Sequence, residues 1–538
     1  MKKIFGILCL ITLSLAGVSC HGDLDIAQKG QVTGGDAWGS QSNALANMYG
    51  MMSTFRAAFA TDYMYWGEYR TQIWGKGNET QPSRDFVYTN NIASTHAQAD
   101  WTSLYTTINH ANLILKYVPG IGFTDEGQKN QILGAAHFVR AFCYYWIGRI
   151  WGDAPVLTAG FESDGQEGLF PSRDPADVVF RQVGDDIVAA VDYLKNASVS
   201  STDIPTLAAA YAMQTDYYLW MAKVRKDATA LADARTACDN ALAAAAAAGK
   251  QLLGNFADIF SVTNKLNSEV LFAWSMKKDE KEGGFQSDWL CAIQYVSEKY
   301  VENPVKVGSH QQWAMFTEAF RGVIDETTVN GVSVEDSRAR VSYDFFLDVE
   351  KNNTTHRWIN KYAGTWTEGA RIFDSDIIVY RYADLLMFDA EIKNDQNQKD
   401  AAVDAINQVA QRAYGRTNFY PKTLSKEEVD AVLLRERGAA QRIHGECARC
   451  RHVVHQAQRV SDLMGEDVFQ RLLENVIGEL LAAHALVYLR GLHEAPRVGQ
   501  PHHVVVHQHR GIDDLARARI DPRGSHGVGH GCRDIADA

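Results

Sequence analysis

The stretch QILGAAHFVRAFCYYWIGRIWGDAPVL, residues 131–157, decides how this chain folds. Within it Ile132, Ala136, Val139, Cys143, Trp146, Ile147 and Ile150 recur at three- and four-residue steps, which lays one apolar stripe along an α-helix. A stripe of this kind must be buried against other elements. The pattern recurs on both sides of it. Between Pro171 and Leu194, Asp174 reads as an N-cap with Pro175 at the first helical position, and Val179, Val183, Ile187, Ala190, Val191 and Leu194 follow at helical spacing. Ala402, Ala405, Ile406, Val409 and Ala413 form a further helix closed by Gly415, and the alanine run 241–248 is a good helix former ending at Gly249. Strand-like segments are few, such as Ser268–Ala273. The spans 61–100 and 275–370 are long, polar and aromatic, and read as irregular.

Helix pairs near 100–150, 175–250 and 375–415 predict a mostly α fold: a tetratricopeptide-like array of helical hairpins (an α-α superhelix), each pair burying its apolar face on the next. No repeat of fixed period can be extracted. The long polar and aromatic stretches between the helices are of the kind that is usually functional or disordered.

The 538 residues are 46% hydrophobic and 22% charged, with 12 Trp and 22 Tyr and a net charge of −12. That charge argues against nucleic acid and anionic lipid surfaces as partners. The cysteines are scattered and predict no disulfide framework.

Lys2 and Lys3 precede an apolar and small-residue run from Ile4 to Gly17, followed by Val18, Ser19 and Cys20. The run is too short to span a bilayer and reads as an export signal. Small residues just before a cysteine resemble a lipobox, which predicts a signal over residues 1–19, lipid attachment at Cys20 and a membrane anchor made of several acyl chains. Gly17 stands where that pattern usually has leucine.

Five segments carry a more specific likeness: FVRAFCYYWIGRIWGDAPVL (138–157), FPSRDPADVVFRQVGDDIVAAVDYL (170–194), NSEVLFAW (267–274), VYRYADLLMFDAE (379–391) and AINQVAQRAYG (405–415). Together, and in this order, they resemble the SusD/RagB family of outer-membrane nutrient-binding lipoproteins over roughly residues 20–437. The resemblance implies a tetratricopeptide-like fold carrying a loop-rich ligand-binding face, and a role without catalysis. It also implies a place on the outer membrane facing the cell exterior, an oligosaccharide or other nutrient as ligand, and a TonB-dependent transporter of the SusC type as partner. A peptide ligand is the alternative within the family.

A sugar site needs aromatic faces for the pyranose rings and amides, carboxylates or guanidinium groups for the hydroxyls. The stretch 61–90 offers Asp62, Tyr63, Tyr65, Trp66, Tyr69, Arg70, Trp74, Asn78 and Arg84; a second supply is Gln286, Asp288, Trp289, Tyr295, Tyr300 and Trp313. Their polar, glycine-containing surroundings predict exposure, and Trp66, Trp74, Asn78, Arg84, Trp289, Tyr295 and Trp313 are the candidate ligand contacts. No Gly-x-Ser-x-Gly elbow, phosphate loop or His-Glu-x-x-His helix occurs. The neighbouring carboxylates Asp185 and Asp186 are expected to point apart into solvent. No catalytic residue, cofactor or resident metal is expected, and a surface glycoside hydrolase is the competing reading.

From residue 438 the chain changes character. Residues 438–538 hold 11 of the 17 histidines and 12 Arg, but no Lys, Thr or Trp. Cys447, Cys450, His452 and His455 have ligand-like spacing. The helix-like EEVDAVLLRER (427–437) is, however, not followed by the acidic and aromatic segment that the resemblance leads one to expect. Residues 438–538 therefore read as an atypical tail translated out of frame, and the chain as three parts: 1–19, 20–437 and 438–538.

Overall fold

The first helix, α1 (Gln41–Trp66), begins where the Ser40 side chain accepts from the Asn43 amide, as an N-cap should. It belongs to a computed structural model that describes residues 36–439 except 164–165, 169–170, 292, 298–310, 326–327, 330–331 and 368–369. All of these fall in the first of the two units into which the chain divides, 1–457 and 458–538. The signal segment, Cys20, Tyr300 and the Cys447–His455 group lie outside the described residues.

After α1 come the short α2 (Pro82–Tyr88), then α3 (Thr102–Tyr117), α4 (Glu126–Ile150), α5 (Ala176–Leu194), α6 (Leu207–Lys223) and α7 (Ala230–Ala247). The short α8 (Glu318–Ile324) and α9 (Ala339–Ser342) precede α10 (Tyr382–Asp395), α11 (Lys399–Tyr414) and α12 (Lys426–Ala439). The long helices pack as neighbours in sequence: α3 on α4, α4 on α5, α6 on α7 and α10 on α11, while α10 also meets α7 and α12. This is the tetratricopeptide-like array expected from the sequence.

Two strands run through its centre. β2 (Val270–Trp274) pairs antiparallel with β10 (Ile377–Arg381), and both are wholly buried, β2 as an unbroken apolar run and β10 apolar up to the buried Arg381 at its end. Helix α4 is enclosed between this ladder and α1. Phe142 lies 5.3 Å from Phe55 and 5.2 Å from Phe59, while Phe59 stacks on Trp274 at 4.9 Å. From Gln131 to Arg149 nearly every α4 side chain is buried, so the single stripe read from the sequence understates a helix covered all round.

The span 275–370 is not irregular throughout. It holds β3 (Ala314–Phe316), which pairs with β1 (Trp74–Lys76), and three hairpins: β4 (Thr328–Val329) with β5 (Val332–Ser333), β6 (Tyr343–Asp348) with β7 (Thr354–Ile359), and β8 (Thr365–Thr367) with β9 (Ala370–Ile372). In the β6–β7 hairpin Asn352 and Asn353 take φ of 54° and 57°, the left-handed turn that asparagine tolerates. Likewise 61–66 is not loop but the last turns of α1.

Helix ends follow the sequence closely. Gly415 caps α11 at φ 66°, and Gly249 follows α7 at φ 67°. The start of α5 differs. Pro175 precedes its first residue, and the Ala176 amide donates to Asp153 Oδ1 at 2.8 Å, so the capping carboxylate comes from the preceding segment. Asp174 instead bridges to Ala154 and accepts the Val156 amide at 2.9 Å.

Buried charges tie the array together. Arg140 on α4 donates to both carboxylate oxygens of Asp186 on α5, at 2.9 and 2.7 Å, and to Asn112 Oδ1 on α3 at 2.7 Å. Asp186 also takes His137 Nδ1 at 2.7 Å. Asp185 is exposed as expected, but Asp186 is not: the next position on a helix turns by about 100°, which here points it into the α4 contact. Near the end of the described chain, Arg338 binds Asp336 and donates to Glu436 Oε2 at 2.7 Å, and Glu436 Oε1 accepts from Tyr414 and Tyr420 at 2.8 and 2.6 Å. Arg437 pairs with Glu391, which also holds Lys223. Both α12 residues are buried. Cys143, Cys238 and Cys291 are free and buried. Among the described residues no helix is long and apolar enough to cross a membrane.

Candidate functional site

At one end of α1 the β1–β3 ladder, α2 and residues 285–295 bring together most of the aromatics singled out in the sequence. The inner part is core. Trp74 and Trp289 stack at 5.6 Å with 25° between their planes, Phe316 lies 4.7 Å from Trp74, and the Trp289 indole donates to Tyr69 Oη at 2.7 Å. Trp74 and Trp289 are 5% and 2% exposed. Trp66 is also buried, its indole donating to the Gln98 carbonyl at 3.0 Å and its ring against Phe59 and Trp151. The expectation of exposure is therefore wrong for Trp66, Trp74 and Trp289. These rings fill inward-facing positions of a helix end, a strand and a 3₁₀ turn, and the polar neighbours Glu68, Gln286 and Asp288 are buried with them, so a polar surrounding in the sequence does not mark exposure here.

The outer part is different. Trp313, just before β3, is half-buried, and Tyr295 is 41% exposed. Gly77 and Glu79 extend the ladder, donating from their amides to the carbonyls of Trp313 and Gln312 at 3.3 Å each. Only glycine fits at 77, because a Cβ there would stand 1.9 Å from the Gln312 carbonyl oxygen. Gln312 itself takes φ 44°, unusual for a residue with a side chain. Its buried amide group holds that shape by donating to the carbonyls of Trp289 and Arg357. The backbone strain aims the next residue, Trp313. Tyr88 Oη fixes the Trp313 carbonyl at 2.9 Å, and the indole donates to Gln311 Oε1 at 3.1 Å.

Over the Trp313 ring lies Arg84, its guanidinium carbon 4.6 Å from the centroid and 5.1 Å from that of Tyr65 on the other side. Arg84 Nε is 3.5 Å from Asp288 Oδ2, the oxygen that also accepts the Tyr65 hydroxyl. Among the described residues Trp313 stacks on no other aromatic ring. Gln311, Asn78 and Gln294 are exposed; Asn78 and Glu79 lie on the stretch whose backbone pairs with residues 312–313, and Glu79 accepts from Gln294 Nε2 at 3.1 Å and from the Tyr295 hydroxyl.

The electrostatics follow from burial. Burial pushes the Asp288 carboxyl up, opposed by Arg84 and the Tyr65 hydroxyl. Burial alone would lower Arg84, but Asp288 overrides it and holds the guanidinium above its ordinary value. Asp62, on the last turns of α1, is pushed up to about 6 by burial and by Asp100, with Arg84 pulling the other way. Among the described residues no group of three or more His, Cys, Asp or Glu side chains could hold a metal ion.

The structure thus brings Asn78, Arg84, Tyr295 and Trp313 together and puts Trp66, Trp74 and Trp289 beneath or beside them. Glu79, Gln294, Gln311 and Gln312 escaped notice in the sequence. The pairing of 74–79 with 312–316, more than two hundred residues apart, has no local signal.

The fold is shared with known proteins. One family model, described as "Starch-binding associating with outer membrane", matches residues 40–219, and that of the SusD family matches 347–439; together they cover about half of the chain. SusD-like protein P38 of Formosa agariphila is 24% identical over 427 residues, covering 76% of this chain and 82% of that protein. SusD-like protein P25 of the same organism is 26% identical over 380 residues, covering 65% and 68%. A SusD superfamily protein from Bacteroides fragilis superposes with a TM-score of 0.65 at 21% identity, over 76% of this chain and 87% of that one. B. fragilis NanU superposes at 0.64 and 21% identity, over 79% and 93%. Matched at both ends of the helical array by the family's models and along most of its length by relatives and structures of the same name, the chain belongs to the SusD/RagB family.

Proposed function

We propose that this protein is a lipid-anchored glycan-binding protein of the outer membrane that captures an oligosaccharide at Trp313 and passes it to a TonB-dependent transporter. The observation that carries the reading is the part-exposed Trp313 ring, held under Arg84 with its indole on Gln311, beside the paired 77–79 stretch whose Glu79 holds Gln294 and Tyr295. A pyranose ring offers an apolar face to such an indole, and the amides, hydroxyl and carboxylate match its hydroxyl groups. The family description, starch-binding and associated with the outer membrane, agrees in kind. Anchoring through Cys20, outward orientation and the transporter partner rest on the signal-like segment and the family. The protein acts by binding; no reaction is assigned to it.

The test is affinity electrophoresis against polysaccharide-containing gels, followed by calorimetry with oligosaccharides. Retardation that Trp313→Ala abolishes supports the reading. Release of new reducing ends during incubation would instead favour a glycosidase.

A further inference from the structure

Among the described side chains four tryptophans keep part of their surface in solvent: Trp38, Trp101, Trp151 and Trp313. Two of them, Trp101 and Trp151, touch, with ring centroids 5.6 Å apart. They belong to a second aromatic platform, where the ends of three helices meet. Trp101 precedes α3 and Trp151 follows α4. Arg173, exposed and just before α5, lays its guanidinium carbon 4.7 Å from the Trp101 centroid, much as Arg84 lies over Trp313. The part-exposed Tyr105 adjoins the same indole at 5.5 Å.

The segments that carry these side chains are fixed to one another. The Trp151 indole donates to the Ala99 carbonyl at 3.2 Å, Tyr105 Oη to the Pro155 carbonyl at 2.7 Å, and Arg173 Nη1 to the Asp153 carbonyl at 3.3 Å. Asp100 and Asp153, both exposed, each use one carboxylate oxygen to accept an amide at a helix start, that of Thr102 for α3 and of Ala176 for α5. Each has a second oxygen with which to accept from a sugar hydroxyl, and the guanidinium supplies donors. An aromatic surface with such groups held around it has little ordering left to do on binding.

Both platforms border the last turn of α1. Tyr65 meets the first, 5.1 Å from the Arg84 guanidinium carbon, and its neighbour Trp66 meets the second, 5.8 Å from Trp151. Consecutive helix residues point about 100° apart, so the platforms lie on adjacent sides of this helix end. Asp62, in the same turn, feels a charge from each: Asp100 beside Trp101 and Arg84 over Trp313.

We propose that Trp101 and Arg173 form a second glycan subsite, and that one polysaccharide chain passes over the end of α1 with Trp313 under one stretch of it and Trp101 under another. The inference rests on the glycan-binding reading of Trp313. Two subsites on one body act as linked modules: once the first is filled, the second meets the same chain at high effective concentration. Long chains are held tighter than short ones, which fill only one platform at a time.

Calorimetry on the full-length protein with starch, xylan, galactan and alginate, each beside its own trisaccharide, tests this. The polymer that binds is expected to do so about tenfold or more tighter than its trisaccharide. Trp101→Ala and Arg173→Ala should each weaken the polymer by about tenfold and leave the trisaccharide unchanged, whereas Trp313→Ala should weaken both. Arg173 is exposed, so its variant is expected to keep the parent melting temperature, and it decides the matter if Trp101→Ala unfolds. Polymer binding untouched by Arg173→Ala, or a polymer held no tighter than its trisaccharide, overturns the second subsite while Trp313 stands. Equal weakening of polymer and trisaccharide by Arg173→Ala would mean one compact site and overturns it as well. Binding of no probe, or binding that Trp313→Ala leaves unchanged, removes the reading of Trp313 and this inference with it.

Discussion

Trp289 and Trp313 lie on two sides of one cluster and differ in kind: the first is closed in against Trp74 and Tyr69, and the second keeps part of its ring in solvent beneath Arg84. Alanine at each should therefore separate stability from binding. Trp289→Ala is expected to lower unfolding free energy by about 3–5 kcal/mol in urea denaturation, the usual cost of deleting a large buried ring. Trp313→Ala should leave the melting temperature within a degree or two yet weaken glycan binding by about tenfold or more. Equal losses of stability in the two would mean that Trp313 is core.

Asp62 should make the protein more stable in mild acid. Its carboxyl titrates near 6 when folded, against an ordinary value of 3.8, because burial and Asp100 disfavour its charge. Between these values the folded state holds a proton that the unfolded chain has lost, so this group adds stability as pH falls from about 7 to 4 and the gain is lost as pH rises through 6. Asp62→Asn is expected to stabilise the protein at pH 7 by roughly 1–3 kcal/mol and to have little effect near pH 4. Denaturant titrations of both proteins at the two pH values check the sign; a variant destabilised at pH 7 would refute it.

Gly77 admits no side chain. Gly77→Ala places a Cβ against the Gln312 carbonyl oxygen, and the ladder that positions Trp313 must part. We expect a loss of about 1–3 kcal/mol together with weakened glycan binding, because the same shift moves the indole. Gly75→Ala is a suitable control, since a Cβ there would meet only a Thr317 methyl at 3.4 Å.

The Arg140–Asp186 pair joins three helices far from the site. Asp186→Ala leaves a guanidinium buried without its counterion and should cost about 3–5 kcal/mol, whereas replacing both residues by apolar ones of similar size should cost less. Asp186 is held below its ordinary value: burial alone would raise it, but His137 and Arg140 outweigh burial. Its contribution is thus present above pH 4 and is lost as pH falls through the depressed value. A melting curve of the double variant lower than that of Asp186→Ala would contradict this account.

Much of the array was legible in the sequence because its information is local. The period of α5 and α11 and the glycine ends at 249 and 415 each depend on a few consecutive residues. The aromatic site was less legible. Trp74 and Trp313 both stand in polar, glycine-containing surroundings, but one packs on Trp289 and the other faces solvent, and the difference is made by the distant pairing of β1 with β3. Asp186 was misplaced for a related reason: a carboxylate looks solvent-seeking until the arginine that meets it from another helix is known. The capping of α5 by Asp153 rather than Asp174 is the same lesson at the scale of one bond.

Glu436 and Arg437, in the last turn of α12, complete two charge networks whose other members come from residues 223 to 420. This arrangement has a consequence in time. Until the ribosome has added these two residues, Arg338 lacks one of its carboxylates and Glu391 lacks one of its cations, so a nascent chain cannot lock the final helices into place. A chain ending before residue 436 would therefore leave both networks open, whatever helices precede it.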